Sequence, residues 1–265
     1  MISKVLVALI DVMSAVAKIH LVFLLGWQDI KQRYRRSVLG PFWLTISMSI
    51  MIAMIGVIFG QALSIPIREY LPYLASGIIF WTFISTSIKE GSSSFIQSSG
   101  MIRQLALPLA IYPMRVLWRN IIILCHNIVI LPVVVLFVGQ EISVNIFWII
   151  PGFILVIVNI FWISLLLGVC CTRFRDLPPI VASLIQVFFY LTPILWVPGS
   201  VRARVTAWII DANPAYHLLE LLRAPVLGYC PSILNWEVSL LFGILGSSFT
   251  LFFFGAYKKR IAYWV

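Results

Sequence analysis

The sequence predicts an all-α integral membrane protein. Six transmembrane helices are expected, with an amphipathic interface helix before the first, a short helical cytoplasmic knob after the second, and short re-entrant helices before the last. Three observations predict it. Of the 265 residues, 62% are hydrophobic and 11% charged, with a mean hydropathy of +1.04; a soluble domain carries about 25% charged and about 45–50% apolar residues. Six apolar stretches, at 41–60, 71–88, 113–138, 146–171, 177–197 and 238–257, are each near the roughly 20 residues that about 30 Å of hydrocarbon requires of a helix. The 19 Lys and Arg residues, finally, fall unevenly on the two sides those stretches define.

That unevenness sets the orientation. One side receives Lys4, Lys18, Lys31, Arg33, Arg35, Arg36, Lys89, Arg103, Arg115, Arg119, Arg173, Arg175, Lys258, Lys259 and Arg260. The other receives Arg68, Arg202, Arg204 and Arg223. Cytoplasmic loops carry the excess of cations, so both termini are expected in the cytoplasm, and their sharing one side agrees with an even number of spans. A net charge of +10 would suggest nucleic acid in a soluble chain; here the cations read as topology, and no nucleic-acid partner is expected.

Taken in order, residues 5–17 are apolar but short and interrupted by Asp11, which reads as an interfacial lead-in. No small-residue cleavage site follows a compact apolar region, so the first span is expected to do the targeting. Residues 19–37 form the expected interface helix: Phe23, Trp27, Ile30, Tyr34 and Val38 share one stripe by steps of three and four, with Asp29, Gln32, Arg33 and Arg36 opposite. Such a helix lies in the membrane surface, aromatics at headgroup depth and cations toward phosphates or a cytoplasmic partner. A plain surface anchor satisfies the same pattern. In the first span, Gly56 and Gly60 make a small-residue pair of the kind that lets helices approach closely.

Between the second and third spans, residues 91–107 are rich in Ser and Gly, yet Phe95, Ile96, Met101, Ile102 and Leu105 keep them from being a plain linker. A short helix between Gly91 and Gly100 and another ending at Pro108 would make a small cytoplasmic knob, either packed on its own bundle or offered to a partner. The fifth span opens on Asp176, Pro178 and Pro179, an acid and prolines where a helix start accepts them. Thr192 with Pro193 should end or kink it, and Gln186 lies inside it as interhelical glue or as channel lining. Residues 199–236 are too apolar for a loop in water. Leu218, Leu219, Leu221 and Leu222 surround Glu220 and Arg223, which can pair at a spacing of three, so one or two short helices re-entering the outer leaflet are expected.

Enzyme chemistry finds little here. The sequence has no phosphate-cradling Gly-rich loop ending in Lys and Ser or Thr, no serine nucleophile elbow, no His pair at metal spacing and no carboxylate cluster. No acid clearly sits in mid-span, where a proton relay would need one, and Cys125, Cys170, Cys171 and Cys230 form no disulfide framework.

Several of these segments, in this order, carry a resemblance: WQDIKQRYRRSVLGPFW from Trp27 to Trp43, the Ser-rich loop before LALPLAIYPMRVLWRN, RFRDL with Gln186 and LTPILW, and NPAYHLLELLRAPVLG before the last span. Together they resemble the permease subunits of polysaccharide-exporting ABC transporters, the Wzm type of O-antigen (lipopolysaccharide) export and its capsule and teichoic acid relatives. The resemblance implies a type 2 ABC exporter permease fold in the bacterial inner membrane, no catalysis and no cofactor in this chain, and ATP with magnesium on a separate cytoplasmic ABC ATPase of the Wzt type. The implied partners are a second copy of the chain, that ATPase, membrane lipids and a glycan on a polyprenyl diphosphate. It also implies site roles. Trp27, Asp29, Lys31, Arg33, Tyr34 and Arg36 would belong to the interface helix, and Ser94, Phe95, Ile96, Ser99, Met101 and Ile102 to coupling with the ATPase. Trp43, Phe80, Trp81, Gln186, Phe189 and Tyr190 would line the channel, and Asn213, Pro214, Glu220 and Arg223 the periplasmic exit. Capsule or teichoic acid export is the alternative cargo. A permease for a small or lipidic cargo shares six spans but not the interface-helix signature.

Overall fold

The computed structural model describes residues 2–35, 40, 42–139, 141, 143–198 and 204–265. Its described residues are helical and carry no strand. The order is α1 (Ile2–Ala17), α2 (Ile19–Arg33), α3 (Phe42–Ala62), α4 (Ile67–Ser92), α5 (Ser94–Gln97), α6 (Ser99–Gln104), α7 (Ile111–Ile128), α8 (Ile130–Val138), α9 (Ile149–Arg173), α10 (Leu177–Leu191), α11 (Arg204–Asp211), α12 (Pro214–Val226) and α13 (Ile233–Trp264). Among the described residues five segments are long and apolar enough to cross a membrane, α3, α4, α7 with α8, α9 with the 3-10 turn before it, and α13, and the bent pair α1 and α2 passes the same test when taken as one.

The fifth predicted span is shorter than the 177–197 expected. α10 has 15 residues, about 22 Å at 1.5 Å per residue, and stops at Thr192 because Pro193 removes the next donor. Residues 192–197 continue without helix, and the carbonyls of Pro193 and Leu195 are satisfied from other elements. Tyr70 Oη donates to the Leu195 carbonyl (2.6 Å), Tyr73 Oη to that of Pro193 (2.7 Å), and Arg223 Nη1 also to Pro193 (2.6 Å). Irregular backbone at membrane depth persists only where protein supplies such partners.

α4 is the centre of the bundle. It is buried along most of its length and packs on α3, α7, α8, α9, α10 and α12, whereas α3 and α10 keep broad apolar exposure. Both termini lie at one end with α5, α6 and the cations of α2 and α7; this is the basic end. There α1 lies along the last turns of α13. The approach depends on Gly255, where a Cβ would stand 1.9 Å from the Lys4 carbonyl oxygen. Asp11, expected to interrupt an interfacial lead-in, is instead buried: it accepts hydrogen bonds from the backbone N–H of Leu109 (3.2 Å) and Ala110 (2.8 Å) and pairs with Lys258 (2.7 Å). A carboxylate here meets the positive end of α7.

Candidate functional site at the basic end

α2 turns by 69° from α1 and runs to Arg33, with a turn at 34–35; it is shorter than the predicted 19–37, and Arg36 and Val38 lie outside the described residues. Val22, Gly26 and Ile30 face the bundle while Phe23 and Trp27 stay half-exposed. Gly26 permits the approach, since a Cβ there would lie 2.8 Å from the Trp118 ring and 3.2 Å from the Arg115 carbonyl. Asp29 departs from the water-facing position its stripe predicted. Its oxygens accept from Arg115 Nε (2.7 Å) and Nη2 and from Arg119 Nη1 (3.1 Å), because α7 presents two cations to α2 one turn apart.

Arg119 extends the network to α4, donating from Nη2 to Glu90 Oε2 at 2.8 Å. Asn120 donates to the same oxygen at 3.0 Å, and Arg33 Nη2 to Glu90 Oε1 at 2.9 Å. Two acids and three arginines thus tie α2 to both α4 and α7. Burial differs along the chain of pairs: the Asp29 and Arg119 side chains are 9% and 10% exposed, Arg33 40%. Burial also pushes the Tyr34 phenol up, partly offset by the Arg33 guanidinium. Lys31 projects into solvent.

Next to this network a groove of about 400 Å³ runs between α3, α4 and α7. Arg33 and Asn120 line it, with Ser47, Thr82, Thr86 and Asn127 among apolar residues that include Leu44, Met48, Met51 and Phe83. Thr45 Oγ1 donates to Asn127 Oδ1 at 3.1 Å and ties α3 to α7 beside it. The arrangement offers a guanidinium at the mouth of a partly polar slot in an apolar bundle.

The other predicted site residues divide by burial. In the expected coupling knob, Ser94 and Phe95 are buried, Phe95 against Tyr112 and 3.1 Å from where a Cβ on Gly168 would stand. They hold the knob to α7 and α9, so they are anchors and not a docking surface. Ile96, Ser99, Met101 and Ile102 are partly covered, and the exposed tip consists of Gln97, Gly100, Arg103, Gln104 and Leu105. Among the expected lining residues, Phe80 and Trp81 are core, with Trp81 packed 6.1 Å from the Phe189 ring; the central position of α4 buries them. Trp43, Gln186 and Tyr190 are exposed on α3 and α10, and Phe189 is half-buried.

At the opposite end the predicted Glu220–Arg223 pair forms, with Arg223 Nε donating to Glu220 Oε1 at 3.0 Å and the guanidinium 4.1 Å from the Tyr73 ring. Arg223 is fully buried, so it staples α12 to α4 and does not line an opening. Asn213, also buried, caps α12 by accepting from the Ala215 N–H and donates Nδ2 to Thr192 Oγ1 (2.9 Å); Pro214 opens that helix. The signal that was available for Asp29 was the i, i+4 repeat of Arg115 and Arg119; nothing local joins those cations to an acid 86 residues earlier.

Comparison with known proteins agrees with this architecture. The family model described as ABC-2 type transporter matches residues 20–227. The chain is 28% identical over 244 residues to the O-antigen export system permease protein RfbA of Klebsiella pneumoniae, covering 89% of this chain and 91% of that protein. It is 23% identical over 202 residues to the protein of the same description from Myxococcus xanthus, covering 74% and 76%.

Proposed function

Because the chain belongs to the ABC-2 type transporter family of membrane domains, we propose that it is the channel-forming permease half of an exporter of O-antigen polysaccharide, the glycan carried on a polyprenyl diphosphate across the bacterial inner membrane. The observation that carries the reading is similarity over about nine-tenths of both chains to a protein described as an O-antigen export permease. In this reading ATP is bound and hydrolysed with magnesium on a separate cytoplasmic subunit, two copies of the chain enclose the path, and both termini are cytoplasmic.

The geometry supports a division of labour. The exposed tip of α5 and α6 meets the ATPase, and its buried side, Phe95 on Gly168 and Tyr112, passes displacement into α9 and α7. The ion-pair network makes α2 move with α4 and α7 instead of floating on the membrane. Trp43, Gln186 and Tyr190, exposed on α3 and α10, are available to sugar rings once a second copy faces them, while Phe80 and Trp81 stiffen the wall from behind.

The test is deletion of the gene with complementation. Surface glycan should vanish while glycan on its lipid carrier persists inside the cell, because synthesis and export are separate steps. Unchanged surface display of every polysaccharide in the deletion strain would refute the assignment of cargo.

A further inference from the structure

We propose that Arg33 receives the anionic headgroup of a hydrocarbon-chain lipid at the mouth of the groove between α3, α4 and α7, and that Glu90 occupies Arg33 as an internal substitute until such a headgroup arrives. The proposal rests on the export reading for the identity of the lipid; its chemistry, a phosphate or diphosphate on an apolar chain, comes from the groove.

Arg33 is the one charged residue among the described residues lining the groove. The groove's size falls in the range of about 300–1,000 Å³ typical of ligand sites, and its walls mix aliphatic side chains with hydroxyls and amides, as a chain bearing a polar head requires. The anion that Arg33 holds in this structure is a carboxylate, bonded at 2.9 Å through a single guanidinium nitrogen. Glu90 has its other oxygen taken by Arg119 and Asn120, whereas a free phosphate can take two N–H donors of the same fork, so the headgroup is the better ligand.

The pair is also built to exchange. Arg33 is 40% exposed, and exposed ion pairs hold weakly. Glu90 is not orphaned when Arg33 leaves, because Arg119 Nη2 and Asn120 Nδ2 both remain on its other oxygen. Asp29, by contrast, is buried between Arg115 and Arg119 and has no such freedom. Arrival of a headgroup therefore cuts the direct tie from α2 to α4 and leaves the tie from α2 to α7 in place. Cargo is sensed as a loosening of one joint out of two.

The experiment titrates the intact permease–ATPase complex in lipid nanodiscs with undecaprenyl diphosphate, undecaprenol and inorganic diphosphate, read by native mass spectrometry. Glu90→Gln, which removes the competing charge, should bind undecaprenyl diphosphate about two- to five-fold more tightly, the range spanned by an exposed ion pair. Arg33→Gln should bind it at least about ten-fold more weakly, the loss of a charge-assisted hydrogen bond, and the double variant should behave as Arg33→Gln. Glu90→Gln and Arg33→Gln weakening binding alike would overturn the exchange. Inorganic diphosphate binding as well as the lipid would overturn the lipid assignment. A readout independent of these variants uses spin labels at positions 31 and 89 of the otherwise native chain: undecaprenyl diphosphate should lengthen the distance and undecaprenol should not, and an unchanged distance overturns the latch. If undecaprenyl diphosphate fails to bind while deletion of the gene still abolishes surface glycan, the latch fails and the export reading stands.

Discussion

Asp29→Ala should detach the interface helix from α7 and show how much of the architecture rests on one buried carboxylate. Asp29 is 9% exposed and accepts from two arginines. Its removal leaves Arg119 with Glu90 but Arg115 without an acid among the described ion pairs. Taking one partner from a buried pair costs about 3–5 kcal/mol. Arg115 is 19% exposed and recovers some water, so the lower end applies, about 3 kcal/mol. For a chain of this size about 2–4 °C of melting temperature accompanies each kcal/mol, so the complex in detergent, followed by tryptophan fluorescence, should melt about 6–12 °C lower. Asp29→Asn keeps the shape and one acceptor and should lose about half as much, roughly 1.5 kcal/mol of charge-assisted bonding. Asp29→Ala combined with Arg115→Ala should be less damaging than the sum of the two, since the unpaired charge goes with its partner. Arg33→Gln should shift melting by no more than about 1 kcal/mol equivalent, being an exposed pair. An unchanged melting temperature and normal export in Asp29→Ala would refute the reasoning that this network fixes α2.

Three further outcomes are expected. The polypeptide purified free of its partner should hydrolyse no ATP, having no phosphate-binding loop; turnover from a scrupulously separated preparation would sink the permease reading. Arg223→Met should strand Glu220 while Tyr73 still holds the Pro193 carbonyl, destabilising by about 3 kcal/mol and loosening residues 192–197 toward limited proteolysis, whereas Glu220→Gln, which retains an acceptor for Arg223, should be milder. Gly168→Val should push Phe95 off α9 at an overpacking cost of about 1–3 kcal/mol; the ATPase should still co-purify, but its activity should stop responding to added cargo, and a normal response would show that the knob transmits by another route.

What was legible in the sequence follows from how local each signal is. Apolar runs and the cation bias lie along the chain itself, so the spans could be read, and so could the end of α10 at Thr192 and Pro193, because the proline acts on its own helix. Glu220 and Arg223 sit one turn apart and advertise their pairing. The Asp29 network joins three segments distant in sequence, and no spacing rule reaches across them. Phe80 and Trp81 illustrate a different limit: an aromatic pair inside a span gives no clue to whether it meets lipid or core, and only the neighbours that surround it decide. Gly255 and Asp11 had no signal at all, because a lone glycine in a span and a lone acid in a short apolar helix are each compatible with many roles until α1 is laid against α13.

That last contact constrains the order in which the protein can be completed. The partners that α1 needs, Gly255 and Lys258, are synthesised more than two hundred residues after it. At roughly 5–20 residues per second, the interval between making Asp11 and making Lys258 is on the order of ten seconds to a minute. Throughout it the Asp11 carboxylate lacks its counter-ion and Ala8 lacks the surface around Gly255 on which it packs. A chain that stalls before α13 therefore leaves α1 without the helix that covers most of its packed face.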